Sequence, residues 1–164
     1  SKIGIDATTK VSGEPGFGEK TRQAPAHPFN LPVSINKKFP EVKASRLLEI
    51  QSNLPVLFVA LEKTRPHHGK DFIHSFFSIP EYSEIAILVV LEPHADVTND
   101  SAVMWKLLNS LDPRRDCHFI DNHLGIDVTR KLHEEGYKQK WPDEINMSAD
   151  IKTKIDQLWG KLFV

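Results

Sequence analysis

The 164-residue chain has the length of one ordinary domain, enough for a single buried core and short for two. Its 21 Lys and Arg against 22 Asp and Glu leave a formal charge of -1 with no basic stripe, which argues against nucleic acid as a partner. The single cysteine, Cys117, excludes an internal disulfide, and with no export signal or bilayer-length apolar run the expectation is a cytoplasmic protein without membrane insertion.

Along the chain, the opening "IGIDATTK" (3–10) is heard again at 124–131 as "LGIDVTRK". Gly4, Ile5, Asp6, Thr8 and Lys10 recur as Gly125, Ile126, Asp127, Thr129 and Lys131, and Gly16-Phe17 recurs one residue out of step as Gly136-Tyr137. Beginning inside a motif, the chain reads as a piece of a longer protein. Residues 1–39, with Pro15, Pro25, Pro28 and Pro32 and little apolar periodicity, read as an extended arm in which "NLPVSI" adds one short strand. Residues 40–164 read as one α/β domain. Val42, Leu47, Leu48 and Ile50 fit a helix entered at Pro40.

"LPVLFVAL" (54–61) and "IAILVVLE" (85–92) are continuous apolar runs of strand length, the pattern of strands covered on both faces, and "DCHFID" (116–121) is a weaker third. Phe72, Ile73, Phe76 and Phe77 give one intervening helix its apolar face. Val103, Met104, Leu107, Leu108 and Leu111 give another, with a cap among Thr98, Asn99 and Asp100. The βαβαβ order predicts a small, mainly parallel sheet of three to four strands with helices on both faces. Trp105 and Trp159 are read as packing residues, Cys117 as a buried inert thiol, and "LDPRRD" (111–116) as a solvated or interdomain salt-bridging corner. The tail is an amphipathic helix with Ser148 as cap and Ile151, Ile155, Leu158, Trp159 and Leu162 on one stripe, which needs a surface in its own chain or on a neighbour.

Ligands of open parallel sheets collect beyond the carboxyl ends of the strands. Glu62, Lys63, Arg65, His67 and His68 follow the first strand, Glu92, His94 and Asp96 the second, and Asp121, Asn122 and His123 the third. Imidazoles and carboxylates of that kind can ligate a divalent metal, and Lys63 with Arg65 can bind an anion. No spacing among them is a recognised ligand signature, so solvated loops are the simpler reading. Ser-His-Asp order, a Gly-rich phosphate loop and a Cys-x-x-Cys pair are all absent from the sequence.

"GIDVTRK", then "EEGYKQKWPDEI", then the helix ending "IDQLWGKL" resembles the close of UbiD-type carboxy-lyases, which reads G-hydrophobic-D-A-T-x-K, G-F/Y, W-P and a helix with a late Trp. "EIAILVVLEPHADVTNDSAVMWKLLNSLDPRRD" resembles the family's preceding run of strand, acidic loop, Trp-bearing helix, D-P and R-D. Val128 stands where Ala is usual, and "EPHAD" is less acidic than the family's loop. The opening copy matches the motif more closely than the second, so residues 1–22 resemble the end of one unit and 40–164 a second, diverged one.

The resemblance implies the carboxy-terminal, non-catalytic domain of a decarboxylase of aromatic or unsaturated acids, commonly in respiratory quinone biosynthesis. It also implies a full-length protein that uses prenylated FMN and a divalent metal, with the cofactor and acid-base groups in an upstream catalytic domain of the same polypeptide. No catalytic or cofactor-binding residue carries over to this chain. The domain's implied work is packing on that upstream domain and building a homo-oligomer, with Ile151, Ile155, Leu158, Trp159 and Leu162 as the contact. The alternative reading makes the strand ends (His67, His68, Glu92, His94, Asp121, His123) a metal or anion site of an accessory domain or free-standing subunit.

Overall fold

The computed structural model of the protein describes residues 11–14, 17–18, 35–48, 54–142 and 147–162, apart from the side chains of Gly160 and Leu162. The first copy of the repeated phrase, most of the expected arm and residues 30–34 of its expected strand lie outside the described residues. Five strands form one sheet: β1 Val42–Leu48, β2 Val56–Leu61, β3 Ile87–Leu91, β4 Cys117–Ile120 and β5 His123–Asp127, in the order β1-β2-β3-β5-β4. The centre is parallel (β2, β3, β5) and both edges are antiparallel. The α/β class holds with five strands in place of three or four, and the sheet is mixed rather than mainly parallel.

The two apolar runs become β2 and β3 because helices bury both faces of them. Helices α1 (Ile35–Lys38) and α2 (His68–Phe77) cover one face, and α3 (Asp100–Ser110) crosses the other. Leu57, Val59, Leu61, Leu88 and Val90 point to the first face, where Phe39, Phe72, Ile73, Phe76 and Tyr82 meet them. The Phe76 and Tyr82 rings stack at 4.3 Å. Phe58, Ala60, Val89, Leu91 and Ile126 point to the second face, against Val97 and Val103. Ile35 and Phe39, at the end of the expected arm, are thus part of the core. The Asn99 side chain caps α3 by accepting from the Ala102 N–H at 3.1 Å.

Three expectations change. Residues 42–48 form strand β1, not a helix: β2 is buried on both faces and needs a backbone partner on its outer side, and pairing with β2 satisfies that need at the cost of a register shift between Val42 and Ala44. "DCHFID" does supply a strand, β4, but that strand runs antiparallel at the edge, and the third parallel strand is β5, from the repeated phrase itself. Trp105 and Trp159, expected to pack, are 64% and 59% exposed.

Helix α2 lies directly on β5. A Cβ at Gly125 would stand 2.1 Å from Cγ2 of Ile73, and one at Gly69 would stand 2.5 Å from the Asp127 carboxylate. Glycine at both positions is what lets helix and strand come so close.

Candidate functional site

At the carboxyl edge of the parallel strands, the residues of the repeated phrase are tied into a buried clasp. Alternation sends Ile126 and Val128 into the second-face core and leaves Gly125 and Asp127 under α2. Past the end of β5 the chain turns back on the Asp127 carboxylate, whose Oδ1 accepts from the Thr129 hydroxyl at 2.6 Å and its N–H at 3.0 Å. Lys131 then donates to the Asp127 carbonyl at 2.7 Å and pairs with its carboxylate at 2.8 Å, 3.5 Å from Asp116. Asp116 is wholly buried and is held by Arg115 through two bonds of 2.6 and 2.7 Å and by the Asp112 N–H at 2.8 Å. Arg115 in turn lies 5.6 Å from the centre of the Tyr137 ring and 5.9 Å from that of Trp141. The "RRD" corner, part of the short helix α4 (Pro113–Asp116), is therefore an interior ion-pair network in place of a solvated turn.

A second knot joins the β2–α2 loop to the same tail. Lys63 reaches both oxygens of Glu135 at 2.6 Å and the Arg130 carbonyl at 2.7 Å, and Glu135 also accepts the N–H of His67 at 2.9 Å and of Leu132 at 2.6 Å. That bond accompanies the left-handed backbone of His67, φ 59°.

Burial pushes the Asp127 carboxyl up, but the Lys131 ammonium and the Thr129 donors outweigh it and hold its pKa below the ordinary value. For Glu135, burial is likewise outweighed, by Lys63 and by the N–H groups of Leu132 and His67. Both groups have folded pKa values below their unfolded ones, so their stabilisation is complete above about pH 5 and lost as pH falls through the folded values. The thermal midpoint should therefore hold near neutrality and drop progressively below about pH 5. Glu135→Gln should reduce that slope, and an unchanged slope would show that Glu135 carries none of the acid sensitivity.

The strand-end residues separate into two groups. Glu62 pairs with Lys43, His67 heads α2, and His68 accepts the Thr64 N–H at 3.2 Å and lies 3.6 Å from Glu41. Glu92 binds Lys106 at 2.5 Å, with His94 at 3.5 Å. Asp121 and His123 lie at the opposite edge, because the β4–β5 hairpin turns at the amino end of β5, where His123 Nδ1 sits 2.7 Å from the Ile85 carbonyl. Among the described residues no group of three His, Cys, Asp or Glu side chains is arranged to hold a metal. Lys63, Lys106, Arg115 and Lys131 each engage a carboxylate. Sequence reasoning singled out neither Glu135 nor Asp116; the signals for the clasp were the recurring Asp, Thr and Lys and the R-D pair.

Beyond the clasp, the terminal helix α5 (Ala149–Leu162) carries Ile151, Ile155, Leu158 and Trp159, all exposed, while the Leu162 side chain lies outside the described residues. No helix among the described residues is long and apolar enough to cross a membrane.

Residues 23–140 match the family model of the 3-octaprenyl-4-hydroxybenzoate carboxy-lyase C-terminal domain. An uncharacterized protein of Archaeoglobus fulgidus is 28% identical over 137 residues, covering 69% of this chain and 28% of its own length. Another, of Aquifex aeolicus, is 30% identical over 121 residues, covering 64% and 25%. The chain thus spans about a quarter of these relatives. Among solved structures, the closed form of Sedimentibacter hydroxybenzoicus vanillic acid decarboxylase matches with a TM-score of 0.63 at 17% identity, over 79% of this chain and 30% of that one. An evolved dimeric form of the UbiD-class enzyme HmfF from Pelotomaculum thermopropionicum, in complex with prFMN, matches at 0.59 and 22% identity, over 74% and 27%. The two structures share the fold, and the family match over most of the chain settles its membership: the chain belongs to the UbiD family and carries that family's carboxy-terminal domain.

Proposed function

We propose that this chain is the non-catalytic assembly domain of a cytoplasmic, prenylated-FMN-dependent decarboxylase of aromatic acids, with respiratory quinone biosynthesis as its setting. The flavin, its divalent metal and the acid-base residues belong to an upstream catalytic domain of the same polypeptide. The observation that carries this reading is how the motif is spent. Asp127, Thr129, Lys131 and Asp116 are turned inward on one another, and what they hold in place is the tail that leads, past Tyr137 and Trp141, to an amphipathic helix with an uncovered stripe. Residues 1–22, which repeat the phrase, end a preceding unit of the same kind, and 40–164 form the second.

Helix α5 is lent to another copy, so assembly depends on Ile151, Ile155, Leu158 and Trp159, with Leu162 as a further contact. Ile155→Lys with Leu158→Lys should lower the sedimentation mass to that of one chain while leaving the circular dichroism of the α/β core intact. An assembly that survives both substitutions would sink the role of α5. The intact mass of the native polypeptide should be several times 18.6 kDa, and a native mass of 18.6 kDa would refute the upstream catalytic domain.

A further inference from the structure

Strand β4 is an outer strand of the sheet and has only four residues, paired with β5 alone. Directly opposed residues of an antiparallel pair share a face. The register of His118 with Gly125 and of Ile120 with His123 therefore turns both β4 side chains toward α2, the helix that lies on Gly125. Ile120 accordingly packs on the first-face core, and the His118 ring lies 6.0 Å from that of His74 on α2. One strand further in, the His123 ring stacks on Phe77 of the same helix at 4.7 Å.

The imidazoles of β4 and β5 differ in what a proton would meet. His123 points Nδ1 at the Ile85 carbonyl, 2.7 Å away, an acceptor that suits the charged ring as well as the neutral one. His118 is half-buried, and the charged or titratable groups around it are Lys70 and His74 on α2, Asp127 on β5, Lys131 after β5 and Asp116 at the start of its own strand. Both carboxylates are already matched, Asp127 by Lys131 and Thr129 and Asp116 by Arg115 and Lys131. Lys70 lies one helical turn before His74. A proton on His118 would thus set a half-buried cation before a lysine and a second imidazole, with no unpaired carboxylate among these groups to receive it. Burial pushes the His118 pKa below the usual histidine value, with Asp127 opposing and Lys70, His74 and Lys131 adding to the effect of burial.

We propose that His118 is an acid-sensitive latch on the β4 edge: with its ring neutral, α2 clamps β4 to the sheet, and protonation releases the strand from the helix. A released β4 exposes His118, which then takes a proton near the free value of about 6.5, whereas the docked ring resists to a lower pH. The clamp is whole above about pH 7.5, weakens as pH falls through about 6.5, and weakens no further once the docked ring's own value is passed. That window lies above the one in which Asp127 and Glu135 are neutralised, so on acidification the edge loosens before the buried clasp does. A short border strand can open without the rest of the fold, which is what makes the response local.

The test uses the full chain. NMR titration of the ring protons should give His118 a midpoint below about 6.5, and a midpoint at or above that value would overturn the latch. Amide hydrogen exchange, corrected for the intrinsic rate, should show β4 protected about tenfold or more below β2 and β3 at pH 7.5, with a further loss of about threefold or more at pH 5.5. His118→Phe keeps a ring against His74 but takes no proton, and should remove that further loss. A loss of equal size in His118→Phe would assign it to other groups. Protection of β4 equal to that of β2 and β3 would mean that the strand leaves only with the whole fold. Either result overturns the proposal, and the titration, which needs no variant, decides it whatever His118→Phe does to folding.

Discussion

Lys131→Met is expected to destabilise the fold by about 3–5 kcal/mol, the cost of stripping the cation from buried carboxylates that cannot regain water. Methionine fills much of the lysine's volume, so little of the loss would come from a cavity. The ammonium now holds the Asp127 carbonyl and carboxylate, and its neighbour Asp116 is 0% exposed. In urea this should lower the midpoint by at least about 1 M. Adding Asp127→Asn should return part of the loss, because it removes one of the stranded charges, and the coupling should appear as non-additivity in the double-mutant cycle. A loss below about 1 kcal/mol for Lys131→Met would mean that water reaches the clasp and that the motif's lysine is not structural.

Gly125→Ala is the second large effect, at about 3 kcal/mol, the upper end of ordinary overpacking. Its new Cβ would meet Ile73 Cγ2 at 2.1 Å, and Ile73 is fully buried. Ile73→Ala alone should cost about 2–5 kcal/mol by leaving a cavity. Combining the two should cost clearly less than their sum, since each makes room for or fills the space of the other. Strict additivity, read from chemical denaturation, would show that α2 and β5 part rather than clash.

The elements legible in the sequence were those whose pattern is local. Continuous β-branched runs gave away β2 and β3, and the caps and periodicity of α3 and α5 were sufficient to place them. β1 was hidden because "VKASRLL" has no strict alternation once the bulge interrupts it, and its strand state comes from the partner β2. β5 was hidden because two of its five residues, Gly125 and Asp127, disfavour strands in isolation and are there to admit α2 and to start the clasp. The supposed metal cluster drew on both edges of the sheet at once. A residue after a strand lies at the carboxyl edge only if that strand is parallel to the centre, and β4 is not, which carries Asp121 and His123 away from Glu92 and His94. The stripe of α5 was visible as a pattern; the apolar row across the sheet from Leu48 to Phe119 was not, since it exists only once five strands are in register.

The two outer strands are built against edge-to-edge aggregation. β4 has only four residues, and β1 is interrupted by its bulge and carries Lys43 and Arg46. Short, charged and bulged strands are poor templates for backbone pairing, so neither border invites a strand from another molecule. The protein is thereby spared the unlimited edge-to-edge growth that an open sheet of this size otherwise risks.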